Sequence, residues 1–426
     1  MKIKQMVTAG ILTSSIFGVV SAASAHPTPV SSASSTTKLS KTDQNLQNQI
    51  NELKLVLSEN ASREMAKQKV DQTVGIGTHG FLNDRIVFSG GVLSQLSASK
   101  YANSSSFTGG AGRNLELNTA YLNVHAIVTQ NLSAFTMIST VAPGEPNVDG
   151  GTGGVEFEEA YLNYAKDFGP NMFNVQIGRT YVPFGVYKIH PIVASLTQTL
   201  DQTNRPAAIL GFARSPIFFS VYGFGGLGNL NKSSSTLANK LNGGARIGSS
   251  YVGNHWGYDV SADYITNMAE ALSVHNILPT TYNNVPNFAA HATGTLGGFA
   301  LTYNFSRAVR PFSRRDLIFN GGNARPQAQE VELSFTSKMF GHRTTLAANY
   351  QTSKEALALD LPKNRIAASV DCDVNHYLTV TLEGLRNKDY SSTDSYQRLA
   401  SGSLTAVQNG TGRVNYTGIL EADIHF

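Results

Sequence analysis

The property that most restricts this chain is an alternation of apolar and polar residues with period two, running from about residue 80 to the last residue. The final segment shows it best. Val414, Tyr416, Gly418, Leu420, Ala422, Ile424 and Phe426 fall on one face; Asn415, Thr417, Glu421, Asp423 and His425 fall on the other, with Ile419 out of pattern. Successive side chains of a strand point to opposite sides, so such a segment has one apolar and one polar surface. A soluble sandwich strand can look the same. What separates the two is the punctuation between strands.

Tight turns are expected at Gln130-Asn131, Phe168-Gly169-Pro170-Asn171, Arg214-Ser215-Pro216, Val252-Gly253-Asn254, Phe340-Gly341-His342 and Val374-Asn375. Between the hairpins lie longer Ser-, Asn- and Gly-rich connections, near 100–112, 143–153, 227–241, 268–290 and 389–411. Short turns at one end and long polar loops at the other is the asymmetry of a membrane-spanning barrel. The segments number sixteen, including one centred near 298 and a weak one over 308–319 (AVRPFSRRDLIF), which Pro311 and three arginines interrupt. The expected fold is all-β: a transmembrane antiparallel β-barrel of about sixteen strands over 80–426, wide enough for an aqueous channel.

The faces agree with that expectation. Trp256, Tyr258, Val260, Ala262 and Tyr264 suit lipid, as do Ile366, Ala368, Val370, Cys372 and Val374. The opposite faces carry Asp259, Asp263, Glu330, Glu332, Asp371, Asp373 and Glu383, which makes a polar lumen. Charged residues are only 15% of the chain, against roughly 25% for soluble proteins. No apolar run reaches the ~18 residues of a spanning helix. The net charge of +4, or +2 without Lys2 and Lys4 (4 − 2), is too small for a nucleic-acid binder. The single cysteine, Cys372, excludes an intramolecular disulfide framework.

The front of the chain reads as an address. Lys2 and Lys4 precede an apolar stretch over 6–20, and Ala23-Ser24-Ala25 offers a cleavage site, so 1–25 is expected to be a signal peptide cut after Ala25, with Ala23 as its small partner. The Pro/Ser/Thr-rich 26–42 is expected to be a flexible linker. Over 43–70, Leu46, Ile50, Leu53 and Leu57 share one helical stripe. That segment is either a coiled coil joining copies of the chain or a short amphipathic helix packed on its own barrel.

Catalytic constellations are missing. Gly223-Phe-Gly225-Gly-Leu-Gly228 spells a dinucleotide fingerprint but leads into a loop with no helix pattern behind it. There is no metalloprotease histidine pair, P-loop or nucleophile elbow. The chain is not expected to be an enzyme, to hold a cofactor or to ligate a metal.

The most distinctive block is 176–212, QIGRTYVPFGVYKIHPIVASLTQTLDQTNRPAAILGF. Its Ile177-Gly178-Arg179, then Val182-Pro183-Phe184-Gly185-x-Tyr187, Leu196-Thr-Gln198 and Gln202-Thr203-Asn204, resemble the LbtU family of siderophore porins. The order of signal peptide, short coil and barrel of about sixteen strands is similar as well. The resemblance implies an outer-membrane receptor that takes up ferric siderophore, of the polycarboxylate type, through a lumen without a plug domain. It also implies the barrel-assembly machinery as a partner, which reads a terminal strand ending in an aromatic, here Ile424 and Phe426.

Within that block, 183–203 is long, low in charge and apolar, which is unusual for a connection in water. Two placements stand: folded into the lumen as a constriction, or packed across the rim or against a second copy. Candidate pore- or ligand-contacting residues are Arg179, Pro183, Phe184, Gly185, Tyr187, Lys188, His190, Gln198 and Arg205, with Arg310 and Arg314 from the weak segment. Guanidinium groups across a pore would favour anionic solutes. Strict parity places Arg179 with the outward Val175 and Ile177, so a rim position or a bulge would be needed to bring it inward. Three functions stay open: a ferric-siderophore channel, a general or anion-preferring diffusion porin, and a structural or adhesive barrel.

Overall fold

A computed structural model describes residues 85–101, 111–146, 152–187, 189–226, 242–253, 255–278, 283–400 and 403–426. The expected signal peptide, linker and 43–70 helix lie outside the described residues.

Antiparallel strands close into one barrel. The first staves are β1 (Ile86–Tyr101), β2 (Ala111–Ile127), β3 (Leu132–Pro146), β4 (Thr152–Phe168), β5 (Asn171–Tyr181) and β6 (Asn204–Arg214). There follow β7 (Ile217–Phe224), β8 (Asn242–Val252), β9 (Trp256–Ile265), β10 (Asn287–Leu296) and β11 (Phe299–Ala308). Short β12 (Leu317–Phe319) and β13 (Gly322–Asn323) stand outside the ring, which continues with β14 (Gln327–Met339), β15 (His342–Lys354), β16 (Asn364–Asn375) and β17 (Leu378–Lys388). Short β18 (Ser395–Ala400), β19 (Ser403–Leu404) and β20 (Gln408–Asn409) precede the last stave, β21 (Val414–His425). It pairs with β1 from Gly91↔His425 to Tyr101↔Asn415, so no edge is left open. That makes sixteen staves, as the alternation predicts.

Five of the six expected turns fall between staves; Val374-Asn375 ends β16, and the turn follows at His376-Tyr377. The count of sixteen is met by a different partition, however. The stretch centred near 298 is two strands, β10 and β11, folded at Gly297-Gly298. The 308–319 stretch is not a stave: Arg310, Arg314 and Arg315 are exposed in an outer connection, and only β12 within it pairs, with β13 and β18. Pro311 and the arginines disqualify it as a membrane strand, as their chemistry demands.

Burial follows parity. On β21 the exposed Tyr416, Leu420 and Ile424 alternate with the buried Thr417, Ile419, Glu421 and Asp423. Cys372, a free thiol, keeps the parity of the outward Ile366, Ala368, Val370 and Val374, with Thr344 and Val380 as its register partners. The largest core lies at the outer end. There Leu196 and Leu200 pack with Met268, Val274, Val285, Phe312, Leu317, Leu357, Leu359, Tyr390 and Tyr396, contributed by five connections between staves. The long loops therefore carry their own hydrophobic core above the barrel wall. Tyr390 ties it together: its hydroxyl bonds Ser353 Oγ at 2.8 Å and accepts the Ala356 N–H at 3.2 Å, and burial pushes its pKa up to about 12.

Truncating Phe312, which has no exposed surface, should cost about 3 kcal/mol or more of that outer core. Phe312→Ala is expected to make the outer loops protease-sensitive while the barrel keeps its heat-modifiable electrophoretic mobility. Loss of both together would show that core and wall are one cooperative unit.

Candidate functional site: the inner loop and the wall that holds it

The 182–203 segment between β5 and β6 turns inward and crosses the lumen. Its contacts lie on the far wall. The His190 N–H donates to Glu332 Oε2 at 3.1 Å and its Nδ1 lies 2.7 Å from Glu332 Oε1. The Val193 N–H donates to Glu383 Oε2 at 3.0 Å and the Leu196 N–H to Gln351 Oε1 at 2.9 Å. Thr197 Oγ1 donates to Glu330 Oε1 at 3.1 Å, and Arg365 Nη1 donates to the Ala194 carbonyl at 2.7 Å. Of the two placements open from the sequence, the lumen is the one observed.

Local chemistry explains why the loop leaves the wall where it does. Gly178, with φ +142°, lets β4 press so close that a Cβ would lie 2.3 Å from the Ala160 carbonyl oxygen. Val182 and Phe184 then pack on Ile209, Tyr222, Phe224 and Ile265 of the inner wall. Gly185, at φ +77°, allows a left-handed turn over which the Tyr187 ring folds, its hydroxyl donating to the Phe184 carbonyl at 2.5 Å. At the tip, Ile192 and Val193 pack on Ala367, Leu385 and Ile419. Ile419, out of pattern in its strand, is the inner-wall seat for that tip. Helix α1 (Leu196–Asp201) closes the segment, capped by Ser195 Oγ accepting the Gln198 N–H at 2.9 Å.

The candidate residues therefore divide. Phe184, Tyr187 and Gln198 are buried in the loop's own architecture, with Pro183 and Gly185 half-buried at its root. His190 reaches the far wall. Arg205 is buried, its Nε 3.2 Å from Glu270 Oε2 and its Nη2 donating to the Glu270 carbonyl at 2.7 Å. Arg179 takes the outward face that parity assigns, opposite Pro206, and donates to Asn204 Oδ1 at 3.3 Å. Arg310 and Arg314 are exposed outside the barrel, Arg310 donating to the Asn284 carbonyl. The expected cluster of guanidinium groups is not brought together. Lys188 lies outside the described residues.

Sequence reasoning put Glu330, Glu332 and Glu383 on the lumen face but did not show that they grip the loop. Among described inward-facing strand residues, Glu159, Asp259, Asp263, Glu330, Glu332, Asp371, Asp373, Glu383, Glu421 and Asp423 outnumber Arg205, Arg246, Lys338, Arg343 and Arg365. Arg246 stands 3.3 Å from Asp263 and Arg343 3.9 Å from Asp373, so the arginines are matched and an acidic excess remains.

With the geometry in hand, the chain can be set beside known proteins. No family model matches it. It is 28% identical over 325 residues to a UPF0422 protein of Legionella pneumophila (strain Paris), a match covering 70% of this chain and 59% of that one. Against a UPF0422 protein of Coxiella burnetii it is 25% identical over 230 residues, covering 51% and 48%. The chain thus spans about 60% of the length of the Legionella relative. Among solved structures it is similar to OprB of Pseudomonas putida, with TM-score 0.52, 12% identity and 83% and 97% of the two chains covered. OmpF of Salmonella typhi in complex with daunomycin gives 0.50, 13%, 80% and 97%. With both of these structures the chain shares its fold, a closed antiparallel β-barrel.

One buried acid fastens the inner loop to the near wall. Asp201 Oδ1 accepts Asn287 Nδ2 at 2.7 Å and Ser306 Oγ at 2.6 Å. Burial raises its pKa well above the aspartate range, the Ser306 and Asn287 hydrogen bonds oppose the rise, and the nearby charges of Asp263 and Glu330 add to it. A raised folded-state pKa means a contribution present below the ordinary aspartate value and lost as pH climbs through the raised one. Amide protection of 187–203, corrected for intrinsic exchange, should fall in the wild type as pH is raised above about 4, the ordinary aspartate value. In Asp201→Asn, which holds the neutral shape, it should stay flat.

Proposed function

We propose that the chain is an outer-membrane porin, a passive channel for small hydrophilic solutes whose bore is set by the inner loop. The observation that carries this reading is the loop itself, fastened by backbone and side-chain hydrogen bonds to the wall opposite its origin. A sixteen-stranded barrel encloses water, and a segment seated across it narrows the path without plugging it as a separate domain would. The work is transport, not catalysis.

The acidic excess of the wall gives the channel a preference for cations and neutral solutes, since rings of Asp and Glu attract cations and repel anions. The narrower reading, uptake of a ferric polycarboxylate siderophore, rests on the resemblance of the 176–212 block. On the described wall such an anion would meet carboxylates without a cradle of arginines. The porin reading does not depend on that ligand.

Planar-bilayer recording of the refolded chain tests these statements together. Deleting 187–199 should raise single-channel conductance by about twofold or more; an unchanged conductance would remove the loop from the conduction path. Asp371→Asn with Asp373→Asn should move the reversal potential in a salt gradient toward that of a nonselective pore. Saturable block by ferric polycarboxylate siderophore would establish the narrower reading, and indifference to it would leave a general porin.

A further inference from the structure

On the lipid-facing side of the barrel a groove of about 540 Å³ runs across four staves. Its floor is Ala98 of β1, Gly418 of β21, Gly384 of β17 and Ala368 of β16, standing side by side in the register. Nothing inside the protein requires the two glycines. Neither has a positive φ, and a Cβ on either would meet nothing within 4 Å. Glycine within a strand costs roughly 0.5–1 kcal/mol relative to alanine, and where no turn demands it, it marks the close approach of something else.

The outer edge of the groove states what approaches. Lys100 and Arg386 flank Tyr416 in the register, one on each side, and so stand about 10 Å apart. All three side chains point outward at the end of the wall where aromatic girdles meet headgroups. Neither cation forms an ion pair among the described residues. Toward the membrane centre the groove is bounded by Leu420 and Leu382. The surface is thus apolar below and cationic above, at headgroup height.

We propose that this face binds a phosphate-bearing, multiply acylated lipid of the outer leaflet, of the lipid A type. One acyl chain lies along the Ala98–Gly418–Gly384–Ala368 floor and a phosphate sits between Lys100 and Arg386. Inside a bilayer, apolar burial gives no net driving force, so close packing against small residues and charge pairing must select the lipid. A second copy packing by this same face would bring like cations together with no counter-charge.

The test is retention of purified lipid A by the folded full chain in detergent, read by native mass spectrometry. Two variants are compared, Lys100→Gln with Arg386→Gln, and Gly384→Leu with Gly418→Leu, each first shown to keep heat-modifiable mobility. Both should lose lipid A by about tenfold or more, and the wild type should hold dephosphorylated lipid A about as weakly as the charge variant does. Equal retention by either variant, or by the dephosphorylated lipid, overturns the proposal. A change in oligomer mass in the glycine variant, with lipid retention intact, would assign the groove to a second copy instead.

Discussion

Everything distinctive about this barrel follows from the need to satisfy an irregular backbone inside it. A strand in the wall pairs its amides with its neighbours, but a loop in the lumen has no ladder, and its N–H groups must find acceptors elsewhere. Here the wall supplies them from side chains. Glu332 takes the amide of His190, Glu383 that of Val193, and Gln351 that of Leu196. Two of those acceptors, Glu332 and Glu383, are carboxylates, and so the interior is acidic on the side where the loop lands. The charge character of the lumen is a consequence of how the loop is held as much as of what passes.

The same need orders the apolar residues. Ile209 and Ile265 seat the root of the loop, while Leu385 and Ile419 seat its tip. Each stands on the polar side of an amphipathic strand. Breaks in a period-two pattern are thus not noise; they map where something covers the inner wall.

Much of the fold was legible before the structure. The alternation fixed the faces of β9, β14, β16 and β21, and the short turns located the hairpin ends. The partition failed where two strands meet at Gly297-Gly298 without a polar break, and where 308–319 was counted as a stave despite Pro311 and its three arginines. Asn320-Gly321, a strong signal for a two-residue hairpin, was the clue that this stretch ends in a local turn and not in a membrane strand. The site was less legible because it is built from contacts between residues far apart in sequence. The arginines drew notice by charge, yet Arg205 serves Glu270 and Arg179 faces outward, while the carboxylates that grip the loop looked like ordinary wall residues. Ile419 was the available hint, visible as an exception but without its partner, Val193.

The sequence distances across that grip bear on how the protein is built. The loop arises in the first half of the chain, and its anchors Glu332 and Glu383 lie 142 and 190 residues further on, in staves laid down near the end. Contacts of such separation form late, because the chain between them must first be ordered. Asp201 can fasten the strap to β10 and β11 beforehand, but its tip waits for the last staves, and β21 brings both the closing seam with β1 and the Ile419 seat. The strand that closes the cylinder thus also completes the seat of its throat.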